Sequence, residues 1–397
     1  MLIGVVGKSN VGKSTFFKAL TLAECEIANY PFATIKPHHG IGFVEINCVD
    51  KEFNVQCTPK VGYCKGHKRF VPVELLDVAG LVPGAHEGKG IGNQFLNDLN
   101  MADALIHVVD AAGTTNERGE PIDALSYDPA NDLKFLEVEL DYWYLAVLKK
   151  GWEKFAKQVQ QEHADIEKSL TKQLSGMHVT EEMVKEAIKK LALPKEQPSS
   201  WTDEQMLKLA TILRKKSKPM IIAANKIDIP GARENFERLC KEFPDYTIIG
   251  CSSESELALK EAAKHGLIDY TPGESDFKIK SEQLNDKQKN ALDFLKKFLE
   301  RNKTTGVENV LNKVVFDVLK CIAVFPVPNA KLTDKDGRIL PDCFLVPDGT
   351  TALDFAFKIH TDIGNHFVKA IDVKTKQVIA KDHKLKHLDV IEIMTQK

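Results

Sequence analysis

The sequence predicts an α/β fold: a doubly wound, mainly parallel sheet, interrupted by a helical insertion and followed by a smaller α+β module. Three observations carry this. The apolar run 2–6 leads into Gly7-Lys8-Ser9-Asn10-Val11-Gly12-Lys13-Ser14 and then Thr15-Phe16-Phe17-Lys18-Ala19-Leu20, the order strand, glycine loop, helix. Further apolar runs at 71–76, 104–109 and 220–224 each end in a polar residue, Asp77, Asp110 and Asn225. Strands whose C-terminal ends share one edge of a parallel sheet read this way. Finally, the chain between Asp110 and Asn225 is far longer than one crossover helix requires, so an insertion is expected there.

At 397 residues the chain exceeds one typical core, and two or three domains are expected. A formal net charge of -2 gives no global attraction to nucleic acid or membrane, so any such binding must be local. Met1 enters the first strand directly and no apolar run reaches bilayer-spanning length. A soluble, cytoplasmic protein with no membrane partner is the expectation; a monomer is compatible with it, and the oligomeric state stays open.

The glycine loop is a phosphate cradle in chemical terms. Its amides near Gly12 can turn inward around phosphate oxygens, and the following helix adds partial positive charge. Lys13 is expected to reach the β- and γ-phosphates, Ser14 to ligate Mg²⁺, and Thr15 to face the α-phosphate. Thr34, between Pro31 and Pro37, is the candidate γ-phosphate sensor and a further Mg²⁺ ligand. Asp77 is placed to hold a Mg²⁺-bound water, and the Gly80 amide to approach the γ-phosphate.

Asn225-Lys226-Ile227-Asp228 reads the base. An ionised Asp228 accepts from guanine N1–H and the exocyclic amine, whereas adenine offers no matching donor pair. GTP/GDP over ATP follows. Lys226 would lie along the glycine loop and the base, Asn225 would tie the loops together, and Cys251-Ser252-Ser253 would supply a base-contacting backbone loop.

These motifs, in this order, resemble the translation-factor-related P-loop GTPases, and the wording of three phrases narrows the resemblance to the YchF-type branch of the Obg family. The phrases are Asn29-Tyr30-Pro31-Phe32-Ala33-Thr34, Asp77-Val78-Ala79-Gly80-Leu81-Val82-Pro83-Gly84-Ala85 and Gly88-Lys89-Gly90-Ile91-Gly92-Asn93-Gln94-Phe95-Leu96. Near the other end, Phe344-Leu345-Val346-Pro347-Asp348-Gly349-Thr350-Thr351 and Ile359-His360-Thr361 resemble a TGS domain, a small β-grasp module. The resemblance implies a P-loop NTPase fold with a G domain at 1–275 interrupted by a helical, coiled-coil-like arm at 128–215. A helical linker at 276–321 and a TGS domain at 322–397 would follow. It implies a GTPase, slow by itself, working as a Mg²⁺-dependent switch on a ribosome or other RNA-containing particle.

Two departures bear on chemistry. Relatives known as Obg-like ATPases carry an altered base-reading motif, while this chain keeps Asn225-Lys226-x-Asp228, which assigns GTP. The position after Gly80, where Ras-like proteins carry a water-orienting Gln, is Leu81. Water positioning must then come from elsewhere. Asn10 is one candidate, since it occupies the position that holds K⁺ in related potassium-dependent GTPases, and His86 is another.

Within the insertion, Leu133, Leu136 and Leu140 step at helical spacing, and Leu148, Trp152, Phe155, Val159, Ile166 and Leu170 continue the stripe. Ser175-Gly176 interrupts it, Thr180 opens another helix, and Thr202-Asp203-Glu204-Gln205 reads as a capping box. Two long antiparallel helices or a packed helical subdomain both satisfy this pattern. Leu292, Leu295, Phe298 and Leu299 form one face of a later helix, and Lys374, Lys376, Lys381, Lys384 and Lys386 crowd the end of the chain. Cys48, Cys57, Cys64 and His67 cluster in a hairpin-like segment whose spacing permits a zinc site, a Cys57–Cys64 disulfide or free thiols. Two further functional readings stay open: a nucleotide hydrolase in redox or stress signalling without the ribosome, and a TGS-based RNA-binding module with a vestigial GTPase.

Overall fold

A computed structural model describes residues 1–22, 38–78, 98–281, 283–328 and 331–396. Thr34, Gly80, Leu81 and His86 lie outside these residues, as do the phrases 29–34 and 88–96. Close contacts divide the chain into two compact units, 1–17 with 75–255, and 18–74 with 256–397. The division runs through strand β4 (Lys68–Asp77).

In the first unit the end of β4 is followed across the sheet by β1 (Leu2–Val6), β5 (Ala104–Asp110), β6 (Met220–Asn225) and β7 (Ile248–Gly250). The pairs β1–β5, β5–β6 and β6–β7 are parallel. Every residue of β5 and β6 is buried, which explains why both read as unbroken apolar runs rather than alternating ones. The register sets Asp110 opposite Asn225, so two polar strand ends meet at one edge.

The insertion is a run of five helices, Ala130–Lys149, Trp152–Gln161, Ile166–Gln173, Glu181–Lys190 and Asp203–Ser217, rather than two long ones. Its interruptions have local causes. Gly151 adopts a left-handed conformation (φ 74°), Asp165 accepts from the amides of Glu167 and Lys168, and Thr180 caps the fourth helix. Thr202 and Gln205 form the expected capping box. Leu133, Leu136, Leu140, Leu170, Leu209 and Leu213 share one core with Val6, Leu76 and Val109 of the sheet. The buried Arg214 holds two helices together, donating to Asp141 (2.7 Å) and Glu137 (3.3 Å). The apolar stripe of the insertion is therefore spent on packing within this unit.

His107 is buried in the centre of β5, and its Nδ1 has no hydrogen-bond partner among the described residues. Burial pushes its pKa down to about 3 from an ordinary 6.5. The unfolded chain takes up a proton near pH 6.5 while the folded chain does not, so this position weakens the fold as pH falls from 6.5 towards 3. By pH 5 the cost is about 2 kcal/mol, at about 1.4 kcal/mol per pH unit. A His107→Gln variant is expected to show a flatter dependence of urea midpoint on pH between 6.5 and 4.5. Parallel profiles for the variant and the parent would contradict it.

In the second unit, β2 (His39–Asn47) and β3 (Tyr63–Lys65) flank the first part of β4, and β8 (Ile268–Asp269) and β9 (Lys278–Ile279) form a short antiparallel pair. A five-stranded mixed sheet near the chain end runs β11 (Phe344–Pro347), β10 (Cys321–Val327), β14 (Asp389–Thr395), β12 (Phe367–Asp372), β13 (Gln377–Ile379). Only the β10–β14 pair is parallel. The helix Ala352–Ile359, opened by a Thr351/Asp354 capping box, lays Phe355 against Val324, Val346 and Ile391. Leu292, Leu295, Phe298 and Leu299 are the buried face of the helix Asp286–Asn302. Of the lysines near the chain end, Lys374 pairs with Glu52 at 2.8 Å. No helix among the described residues is long and apolar enough to cross a membrane.

Candidate nucleotide-binding site

β1 delivers the chain into a loop that ends at the N-terminus of the helix Lys13–Thr21. The loop is shaped by left-handed positions at Asn10 (φ 64°) and Gly12 (φ 90°). Gly12 has no alternative, because a Cβ there would strike the Asn225 side-chain amide. At Gly7 a Cβ would come within 2.6 Å of the Val108 carbonyl on β5, so the loop leaves the sheet through a gap that admits only glycine.

Asn225 is the hub. Its Nδ2 donates to the Val11 carbonyl (3.0 Å), while its Oδ1 accepts from the Ser253 amide (3.0 Å) and hydroxyl (2.7 Å). One buried side chain thus joins the glycine loop, the end of β6 and the segment after β7. Lys226 (φ 66°) lies along the glycine loop, donating to the Asn10 carbonyl (2.9 Å), Thr114 Oγ1 (2.9 Å) and Asp110 Oδ2 (3.1 Å). Asp228 follows, half-buried, in a turn closed by the Ile229 amide on the Lys226 carbonyl at 3.1 Å.

The segment Cys251-Ser252-Ser253 is pinned from both sides. The Cys251 amide donates to the Ala224 carbonyl (2.8 Å), and its own carbonyl accepts from the Ile227 amide (3.2 Å). Ser252 Oγ accepts from the Ser255 amide (3.2 Å) at the start of the helix Ser253–Lys264. The Cys251 thiol is fully buried and its pKa is raised by burial, so this residue serves through its backbone.

At the other end of the loop the Lys13 ammonium meets the Asp77 carboxylate at the end of β4, and Ser14 is exposed on the first turn of the helix. An exposed hydroxyl and a strand-end carboxylate close to the same lysine are the hard oxygen donors that Mg²⁺ prefers, and the pair fits that ion. Thr15 is half-buried beside them, and Ser9 is exposed.

Two side chains in the loop are committed elsewhere. Lys8 was expected among the ligand-binding residues, yet its Nζ is buried against Asp132 (2.9 Å), donates to the Thr115 carbonyl (3.1 Å) and sits 3.8 Å above the Tyr127 ring. Only its backbone remains for a ligand. The Asn10 side chain donates to the Gly119 carbonyl (2.8 Å), which favours a loop-shaping role.

Sequence reasoning missed Asp110 as a member of the site. Besides Lys226, it accepts from the Thr114 and Ala112 amides and from the Thr114 hydroxyl (2.6 Å), fixing the turn that supports the lysine. Its signal was present in the polar end of an apolar strand followed by paired threonines. Asp132 gave no such signal, since an acidic residue in a first helical turn is ordinary capping chemistry.

A glycine loop at a strand-to-helix junction, with a basic residue at its end and an Asn-Lys-x-Asp segment tied to it, defines a P-loop nucleotide-binding protein of the GTPase type. Family models agree: residues 2–138 match a 50S ribosome-binding GTPase model, residues 223–329 an Obg-like GTPase YGR210-like, G4 motif-containing domain, and residues 322–395 a TGS domain. An uncharacterized GTP-binding protein of Methanocaldococcus jannaschii is 50% identical over 396 residues, 99% of both chains. A second, from Schizosaccharomyces pombe, is 37% identical over 89% of this chain and 88% of its own. The crystal structure of a GTP-binding protein from Pyrococcus horikoshii superposes with a TM-score of 0.80 at 38% identity, covering all of both chains. The chain belongs to the YchF-type branch of the Obg family of GTPases.

Proposed function

We propose that this protein binds GTP and Mg²⁺ and hydrolyses GTP slowly to GDP and phosphate, as a switch acting on a ribosome or another RNA-containing particle. One observation carries the nucleotide part: Asn225 and Lys226 knit the glycine loop to the base-reading segments into one frame, with Lys13 at one end and Asp228 at the other. In this reading the amides of residues 7–15 surround the phosphates and Lys13 neutralises the β- and γ-phosphates. Asp228 accepts from the guanine edge, and the segment 251–253 backs the base. Ser14, Asp77 and Thr34 would hold Mg²⁺, whose charge draws electron density from the phosphate being cleaved. Thr34 and Gly80 are assigned to sense the γ-phosphate, while Asn10, through K⁺, and His86 remain the candidates for assisting the water that Leu81 cannot orient.

We assign this work to residues 1–275, with the insertion at 128–215, and recognition of the particle to the TGS domain at 322–397 joined by 276–321. A relative in Bacillus subtilis, 31% identical over 64% of this chain and 66% of its own, is named a ribosome-binding ATPase, which supports a ribosomal partner. The intact Asn225-Lys226-x-Asp228 supports GTP over ATP for this chain. Co-sedimentation with ribosomes in a non-hydrolysable GTP analogue is expected to exceed that in GDP several-fold. Equal pelleting in both would sink the switch and leave a binding module indifferent to nucleotide.

A further inference from the structure

The second unit contains a cluster of chemistry that nucleotide binding does not use. β2 ends at Asn47, Cys48 opens a short 3₁₀ turn Val49–Lys51, and the chain returns through Cys57 to β3, which carries Cys64. β3 and β4 are joined by Gly66 (φ 59°) and His67 (φ 63°), a two-residue hairpin with both residues left-handed. The Cys48 amide donates to the His67 carbonyl (2.8 Å), bringing the end of β2 onto this hairpin.

The result is convergence. One ligand atom each from Cys48, Asp50, Cys57 and Cys64 lies within 4.8 Å of all the others. Cys48 Sγ is 3.5 Å from Cys57 Sγ, and Cys64 Sγ is 3.7 Å from Asp50 Oδ2. Tetrahedral zinc with Zn–S near 2.3 Å and Zn–O near 2.0 Å requires ligand atoms about 3.5–3.8 Å apart. A disulfide needs sulfurs about 2.05 Å apart, and all three cysteines are free, so the Cys57–Cys64 bridge considered from sequence does not form.

We propose that Cys48, Cys57, Cys64 and Asp50 form a structural zinc site. Three thiolates select a soft, tetrahedral ion over Mg²⁺ or Ca²⁺. The site is closed by burial, since Asp50, Cys48 and Cys57 are all at most 5% exposed. His67 Nδ1 lies 2.9 Å from Asp50 Oδ1 and is a positioning residue that fixes the carboxylate's orientation. Three thiolates and a carboxylate on a divalent ion leave surplus negative charge. The buried Arg69, with Nη1 3.6 Å from Cys57 Sγ, offsets part of it. Binding displaces the protons of the three thiols into solvent, and no oxidant is needed.

The site has a structural job within this unit. Arg69 also donates to the Leu340 and Pro341 carbonyls (both 3.0 Å), and the Thr58 and Lys60 amides donate to Ile339 and Pro341 (both 2.9 Å). The loop between two proposed ligands, Cys57 and Cys64, is thus the segment that receives residues 339–341 in the approach to β11. Zinc would hold that receiving loop rigid.

The test is metal content of the full-length chain, purified without chelator, read by inductively coupled plasma mass spectrometry. About one zinc per chain is expected, lost in Cys57→Ser and Cys64→Ser and retained in Cys240→Ser. His67→Ala should weaken zinc affinity by about 10–100-fold without abolishing it. Should the cysteine variants misfold, Co²⁺ added to the chelator-treated parent supplies the second measurement. A thiolate-to-cobalt charge-transfer band and slower hydrogen exchange at Thr58, Lys60 and 339–341 are expected. A folded parent chain that holds no zinc and gives no such band overturns the proposal, as does recovery of a Cys48–Cys57 disulfide under reducing, zinc-replete conditions.

Discussion

Replacing Lys13 with alanine is expected to lower GTP affinity by at least about 100-fold and to remove measurable turnover. Lys13 is the loop's own cation where the helix begins, its ammonium set against the Asp77 carboxylate and followed in the chain by the exposed Ser14. A triphosphate entering the loop would gain a charge-assisted contact from that lysine, and removing a preorganised donor of this type costs about 10²–10³ in rate. The variant also removes the ammonium that offsets Asp77, leaving Mg²⁺ alone to screen the carboxylate from the phosphates, so repulsion adds to the loss. Isothermal titration with GTP and Mg²⁺, with phosphate release measured in parallel, checks both numbers. Affinity within a factor of a few of the parent would mean that the nucleotide is held elsewhere. Running the parent's assay in potassium and in sodium decides the Asn10 question, since equal rates remove the ion from the mechanism.

Asp228→Asn should convert a guanine reader into a poor one. The carboxylate can accept two hydrogen bonds from guanine, each worth about 1.5–3 kcal/mol when one partner is charged, so a loss of about 100-fold or more in GTP affinity is expected. An amide offers one acceptor and one donor. It suits a purine with a carbonyl where guanine has its amine, and xanthosine triphosphate should bind the variant better than GTP does. Competition binding with the three purine triphosphates reads the outcome directly. An unchanged preference for GTP in the variant would remove Asp228 from base recognition, and ATP preferred by the parent chain would remove the base assignment altogether.

Much of the first unit was legible because its chemistry is local. A glycine loop needs its glycines where no side chain fits, and Gly7 and Gly12 occupy such places. Strand β1 announced itself as an apolar run leading into the glycine loop and β4, β5 and β6 as apolar runs ending in polar residues, and the cap at Thr202 fell where its four-residue pattern indicated. What escaped depended on groups distant in sequence. The Lys8–Asp132 pair spans 124 positions, and nothing in the neighbourhood of either residue marks them as partners. The insertion's apolar stripe likewise satisfied either a long hairpin of helices or a packed layer. Its burial among Val6, Leu76 and Val109 is a tertiary fact that periodicity does not contain. The spacing of the cysteines left zinc, disulfide and free thiols open, because their convergence is made by a hairpin reversal at Gly66-His67 rather than by spacing.

The Lys8–Asp132 contact ties the glycine loop to the helix Ala130–Lys149. Asp132 belongs to the first turn of the helix Ala130–Lys149, and burial raises its pKa, so its charge depends on the lysine staying in place. Moving Lys8 outward would leave this buried carboxylate with the Tyr127 hydroxyl (2.9 Å) but without its counter-charge, a penalty the fold resists. The first turn of that helix is therefore tied to the loop through one buried ion pair, so displacing residue 8 must either carry Asp132 with it or break the pair.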